Sequence, residues 1–248
     1  MLPIRDDLPT ERFPWVNYGL IIVNILVYCG ERLSAFVHVD GRVLAPDALV
    51  RAYGLVPARL WNAPIDGAPT IVTSMFLHDP SSVAHLAANM LFLWIFGDNV
   101  EDAIGGFRYL LLYLGAGLLA ALSQAAIAPG SFIPIVGASG AISGVLAAYG
   151  VLYPRSPVTV LNPVLPLWLV FGPFLVLPAW LIIAEYFIGN LVRGLLTIGA
   201  KEGGIAFFAH LGGFVGGWLL LRALRPIERD LSYEKWSQWR RPPGRSMR

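Results

Sequence analysis

An all-α polytopic membrane protein, built as a six-transmembrane-helix bundle, is the fold class that three observations predict. Hydrophobic residues make up 56% of the 248 positions and charged residues 14%, with a mean hydropathy of +0.63, a balance foreign to soluble domains. Crossing the hydrocarbon takes about 20 mostly apolar residues per helix. The chain offers six such runs, at 15–30, 83–97, 107–128, 137–153, 174–192 and 204–223. Small residues also recur four apart, at Gly140 and Gly144 and at Gly213 and Gly217, where helices in lipid can pack backbone to backbone. The expected division is a cytoplasmic N-terminal segment at 1–14, a membrane domain at 15–225, and a basic cytoplasmic tail at 226–248.

The first segment mixes Arg5 and Arg12 with Asp6, Asp7 and Glu11, and no small-residue cleavage site follows the first run, so that run is expected to remain as a helix. Cys29 is the only cysteine, which excludes an intrachain disulfide. A long outer loop follows, at about 31–79, with Pro46, Pro57, Pro64 and Pro69 along it. Its stretch from Asp47 to Trp61 is mildly amphipathic: either it lies at the lipid interface, Arg51 and Arg59 toward headgroups, or it is simply a packed outer loop. Between Tyr153 and Pro173, five prolines interrupt an apolar stretch. It is read as a loop or partly inserted segment before helix five, the alternative being a kinked extra span. The end of the last run and the tail collect Arg222, Arg225, Arg229, Lys235, Arg240, Arg241, Arg245 and Arg248. Lys and Arg stay on the cytoplasmic side, so with an even helix count both termini are expected there.

Two side chains are out of place in this apolar sequence. Ser139 and His210 lie inside the fourth and sixth runs, and polar or ionisable groups at such depth are expensive and functional by default. A serine hydroxyl becomes a useful nucleophile when a base takes its proton, and an imidazole does this near neutral pH. Of the other histidines, His38 and His78 fall in the long loop and His85 begins the second run, so His210 is the expected base. Gly213 and Gly217 share its helical face, and Gly140 and Gly144 form a ridge beside Ser139, which brings helices four and six together. Acyl transfer also needs donors for the developing oxyanion. His85 and Asn89 stand one turn apart on the second helix, and the Ser139 backbone N–H at a helix start is a third donor. Gly137 is placed on the same oxyanion and substrate side. Glu185 is the one acid well inside a run. It could orient His210, but an inter-helix or snorkelling role is preferred, and the site is read as a Ser-His dyad. Scattered histidines without HExxH spacing argue against a metal, and no cofactor motif is present.

These residues resemble the signature of the rhomboid family of intramembrane serine proteases. The likeness runs through Phe76-Leu77-His78, His85 to Met90 with Asn89, Phe96-Gly97, Val100-Glu101, Gly105 to Arg108, Gly137-Ala138-Ser139-Gly140-Ala141, and Ala209-His210-Leu211-Gly212-Gly213, covering about 53–221. It implies a six-helix bundle with a water-filled cavity open to the outer side, Ser139 as nucleophile, His210 as general base, and His85 and Asn89 as oxyanion donors. It also implies structural roles for Glu101 and Arg108, tying the loop after helix two. Two departures stand out. Ser143 occupies a position where related bacterial sequences often place an aromatic that packs on the catalytic histidine; either the imidazole is held more loosely here or another side chain, such as Phe214 or Phe208, takes the role. The interval from His78 to His85, with Ser81 and Ser82, is longer than in some relatives.

The expected activity is hydrolysis of peptide bonds in or beside transmembrane segments of membrane proteins. A helix hides its carbonyls in its own hydrogen bonds, so cleavage is expected near helix-breaking Gly or Pro; the resemblance adds small side chains beside the scissile bond. Phe174, Trp180, Tyr186 and Phe187 form either a lateral gate, with the loop at 197–204 as its movable neighbour, or simply an aromatic packing face. The expected partners are transmembrane substrates and membrane lipids, with no nucleic acid. The expected location is the bacterial plasma membrane. The rival reading is a catalytically inactive rhomboid-like protein that binds membrane clients; a transporter is disfavoured by the absence of visible inverted repeats.

Overall fold

In hydrocarbon, backbone polar groups must be satisfied within the segment, so long apolar runs become helices. The computed structural model describes residues 1–34, 47–162, 164–196 and 207–224, with a few positions between 36 and 45. The helices, in chain order, are α1 (Trp15–Ser34), α2 (Val83–Ile104), α3 (Gly106–Ile127), α4 (Ser139–Leu152), α5 (Ala179–Leu196) and α6 (Phe207–Leu224). Five are long and apolar enough to cross a membrane. The exception, α4, has 14 residues and spans about 21 Å. The 197–204 loop and the 226–248 tail lie outside the described residues.

Helix α4 is short because it starts inside the protein, at Ser139. All ten residues from Gly140 to Tyr149 are buried, which explains a sequence apolar on every face. Its neighbours meet it through small residues. Side chains built on Gly140 and Gly144 would collide with Ala120 and Ala116 of α3; one on Gly213 would strike the Gly140 carbonyl, and one on Gly217 the Gly144 backbone. The Gly140–Gly213 and Gly144–Gly217 pairs keep a constant offset, so α4 and α6 run parallel and both begin at the same end of the bundle. The anticipated glycine contact is therefore present.

The start of α1 is held by acids at the end of α2. Glu101 accepts the N–H groups of Val16 (3.1 Å) and Asn17 (2.7 Å), and Asp102 those of Glu11 and Arg12 (3.1 Å each). Unpaired N–H groups at a helix start attract such carboxylates. The Glu101 tie thus reaches α1. Asn17 in turn donates to the Leu93 carbonyl (3.0 Å) within the π-helical turn Leu93–Gly97 of α2, and accepts from Tyr109 Oη (2.8 Å).

Two expectations are corrected at the opposite end of α4. The segment after Tyr153 is neither a plain loop nor an extra span: it forms a hairpin of β2 (Pro157–Leu161) and β3 (Phe174–Pro178), which joins β1 (Leu2–Asp6) in an antiparallel sheet of order β1-β2-β3. Proline is tolerated at strand ends, where Pro157 and Pro178 stand, and Val158 and Val160 alternate inward. Phe174, expected in the fifth helix, is consequently a strand residue, and α5 begins at Ala179. The sheet is anchored by Asp6, which accepts from Tyr149 Oη (2.6 Å) and Asn99 Nδ2 (2.8 Å).

The amphipathic outer stretch forms two short helices, Ala48–Tyr53 and Pro57–Asn62. Arg59 stitches them by donating to the carbonyls of Arg51, Ala52 and Gly54, and Trp61 Nε1 donates to Ala125 O of α3 (2.9 Å). These contacts hold the two helices together and against α3.

Candidate active site

Ser139 is the first residue of α4 and His210 lies in the first turn of α6, so the parallel packing of the two helix starts sets them side by side. The distance from His210 Nε2 to Ser139 Oγ is 2.8 Å, within reach for proton transfer. Helix α6 is fixed at this end by α3, whose Gln124 Oε1 accepts the Ala209 N–H (3.2 Å). A cavity of about 1610 Å³ opens over the pair, lined by Ser139, His210, His85, Asn89, Gly137 and Tyr186 among others.

The outer loop positions the strand of chain that leads into Ser139. Leu55 and Ile135 exchange both backbone hydrogen bonds (3.1 and 2.8 Å), and the Gly137 N–H donates to Ser74 O (2.9 Å). Gly137 has φ of +120°, a conformation that side-chain-bearing residues rarely adopt. A Cβ there would sit 3.0 Å from the His85 ring and 3.7 Å from Asn89 Nδ2. The three residues expected on the oxyanion side therefore surround one small space next to the Ser139 N–H. That N–H lies in the first turn, where intrahelical acceptors are lacking.

The aim of the Asn89 amide depends on His78, which sequence reasoning left in the loop without a role. His78 is fully buried; its Nδ1 lies 3.3 Å from Phe76 O and its Nε2 3.0 Å from Asn89 Nδ2. A carbonyl only accepts, so Nδ1 carries the proton and Nε2 accepts from the amide, leaving Asn89 its second N–H. Burial, with His85 nearby, pushes the His78 pKa down to about 4, which keeps the ring neutral. Glu31 accepts the His78 backbone N–H on both carboxylate oxygens (3.2 Å).

The aromatic missing at position 143 arrives from another helix. Ser143 Oγ donates to Ser139 O (2.7 Å) and lies 2.7 Å from Tyr186 Oη, and the Tyr186 ring sits 6.0 Å from that of His210. Phe214 instead meets Phe187 (4.9 Å between ring centres), and the Phe208 ring lies against Gly194 of α5. Tyr186 therefore faces the site, and its ring contacts Phe92 of α2 (6.2 Å), while Trp180 is exposed. Glu185 does not orient His210; its carboxylate meets the Met1 nitrogen (3.1 Å). The group on the far side of the imidazole is Asn190 of α5, whose Oδ1 is 2.6 Å from His210 Nδ1. Sequence reading passed over it, although an amide inside an apolar run one turn from Tyr186 was a visible signal. Among the described residues no three His, Cys, Asp or Glu side chains gather as a metal site.

A family model described as the rhomboid domain matches residues 66–227, well over half of the chain. The chain belongs to the rhomboid family. It is 27% identical over 207 residues to the human mitochondrial presenilin-associated rhomboid-like protein, covering 80% of this chain and 45% of that one. It is 28% identical over 178 residues to mitochondrial rhomboid protein 1 of Saccharomyces cerevisiae, covering 68% and 46%. It is 42% identical over 78 residues to rhomboid protease GluP of Bacillus subtilis, covering 32% and 14%. The chain spans less than half the length of these relatives. Several carry mitochondrial names, so a bacterial plasma membrane is not supported as its location. What stands is an integral multi-pass membrane protein.

Proposed function

We propose that this rhomboid-family chain is an intramembrane serine endopeptidase that cuts peptide bonds in or near transmembrane segments of membrane proteins. The observation that carries the reading is the 2.8 Å contact of Ser139 Oγ with His210 Nε2 at the floor of a large cavity. In the proposed reaction His210 Nε2 takes the Ser139 hydroxyl proton as Oγ bonds to the scissile carbonyl carbon. The carbonyl oxygen becomes an oxyanion facing the Ser139 N–H, the Asn89 amide and His85. The carbon–nitrogen bond then breaks, His210 gives its proton to the departing amine, and an acyl-serine remains. Water, deprotonated by His210, attacks the acyl carbon; Oγ leaves and is reprotonated, releasing the new carboxyl end.

Substrate must expose a carbonyl, so segments that unwind at Gly or Pro are the favoured targets. The test is cleavage of a single-span substrate in proteoliposomes by wild type, Ser139→Ala and His210→Ala. The proposal requires cleavage by wild type and a fall of at least about 10³-fold in both variants. Equal cleavage by all three defeats it, and absence of cleavage by wild type favours the client-binding alternative.

A further inference from the structure

The geometry points to Asn190 as a positioning residue that fixes the tautomer of His210, making the site a Ser-His-Asn relay in which the third member comes from α5. This inference rests on the protease reading and adds a residue to it. An amide beside an imidazole presents either an acceptor or a donor, and here the choice is determined. Asn190 Nδ2 lies 2.8 Å from the Tyr186 backbone carbonyl, which can only accept, so the nitrogen end of the amide points there and Oδ1 points at His210. At 2.6 Å, Oδ1 demands a proton on Nδ1. Neutral His210 then has its lone pair on Nε2, the nitrogen 2.8 Å from Ser139 Oγ, and can accept the hydroxyl proton.

The converse arrangement is costly. In Ser-His-Asp enzymes, an amide replacing the acid stabilises the wrong tautomer and lowers kcat by about 10⁴-fold. Asn190 escapes that fault because the i−4 carbonyl of its own helix holds its flip. It is largely buried, at 9% exposure, so water does not compete for the contact. Unlike a carboxylate it adds no negative charge. Among the described residues, the titratable groups facing His210 are Tyr186 on α5 and, across the cavity, His85 on α2; no carboxylate bonds the ring.

Two readouts on the full-length protein test this. The first is the ¹⁵N spectrum of histidine-labelled protein at pH 8, with His210 assigned by comparison with His210→Gln. Wild type is expected to show Nδ1 protonated and Nε2 bare, and Asn190→Leu a mixture of tautomers. Wild-type His210 protonated on Nε2 overturns the inference, whether or not the protein cleaves anything. The second is the pH profile of single-span substrate cleavage. Asn190→Leu is expected to lower kcat by 10-fold or more with KM within twofold. The nearly isosteric Asn190→Asp is expected to retain most of the rate at pH 8 and to move the acidic limb upward by about one pH unit, since a carboxylate stabilises the imidazolium. An acidic limb unmoved in Asn190→Asp, or a folded Asn190→Leu with wild-type kcat, also overturns it. If Asn190→Leu does not fold, the wild-type spectrum and the Asp profile decide. Failure of wild-type cleavage together with the expected spectrum rejects the protease reading and leaves the tautomer assignment standing.

Discussion

At Gly137 the backbone conformation and the space for chemistry are the same fact. Its φ of +120° strains any other residue, and any Cβ would stand 3.0 Å from the His85 ring, in the space assigned to the oxyanion. Gly137→Ala is expected to cost about 1–3 kcal/mol of stability, read as a lower midpoint of thermal unfolding in detergent, and to reduce kcat more than it raises KM. Ser143 and Tyr186 are coupled more modestly: Ser143→Ala leaves the Tyr186 hydroxyl without this partner, at about 1 kcal/mol. A double-mutant cycle with Tyr186→Phe should show the two losses to be non-additive. His78 supplies a pH dependence. Its folded pKa of about 4 lies below the ordinary value of 6.5, so the unfolded chain binds the extra proton. The stability it contributes is complete above about pH 6.5 and is lost as pH falls toward 4, by about 3 kcal/mol at most. Unfolding midpoints measured from pH 7.5 to 4.5 should fall less steeply in His78→Gln than in wild type. Ser139 and His210 were legible as residues because each is polar within an apolar run. The places of Asn190 and Tyr186 beside His210 were not legible because they depend on the rotation of α5 about its axis, which a sequence with aromatic residues on several faces leaves open.

The elements meet where side chains are smallest. Gly144 of α4 and Gly217 of α6 touch backbone to backbone, so a methyl group on Gly217 forces the two helices apart, while one on Gly144 strikes Ala116 of α3 first. That displacement acts on Ser139 and His210 two turns or less away. Gly217→Ala is expected to reduce cleavage by about 10²-fold, although the residue touches no reacting atom; unchanged kcat in the folded variant would refute the parallel glycine seam. These glycines were readable in advance because four-residue spacing has one meaning on a helix. The β2–β3 hairpin was not readable: prolines signalled an interrupted helix, but the pairing of β2 with β1 joins residues more than 150 apart, beyond any local pattern. The same holds for Glu101, whose acidic character was plain and whose partners, the Val16 and Asn17 N–H groups, are set by the meeting of α1 and α2.

Over the whole molecule, composition alone set the class, because a chain this apolar buries its backbone polarity in helices. Helices α2, α3, α5 and α6 pack around α4, and its short length leaves a cavity above Ser139 that reaches toward the outer loop. Packing thereby leaves a space lined by polar groups beside the Ser139 hydroxyl, which the proposed hydrolysis in lipid requires. In the proposed function, His210 makes Ser139 a nucleophile in this setting. Incubation of the full chain with a fluorophosphonate, followed by peptide mass analysis, tests it directly. One adduct on Ser139 is expected in wild type and none in His210→Ala; an unmodified Ser139 in folded wild type, or equal modification in both proteins, would rule out this role for His210.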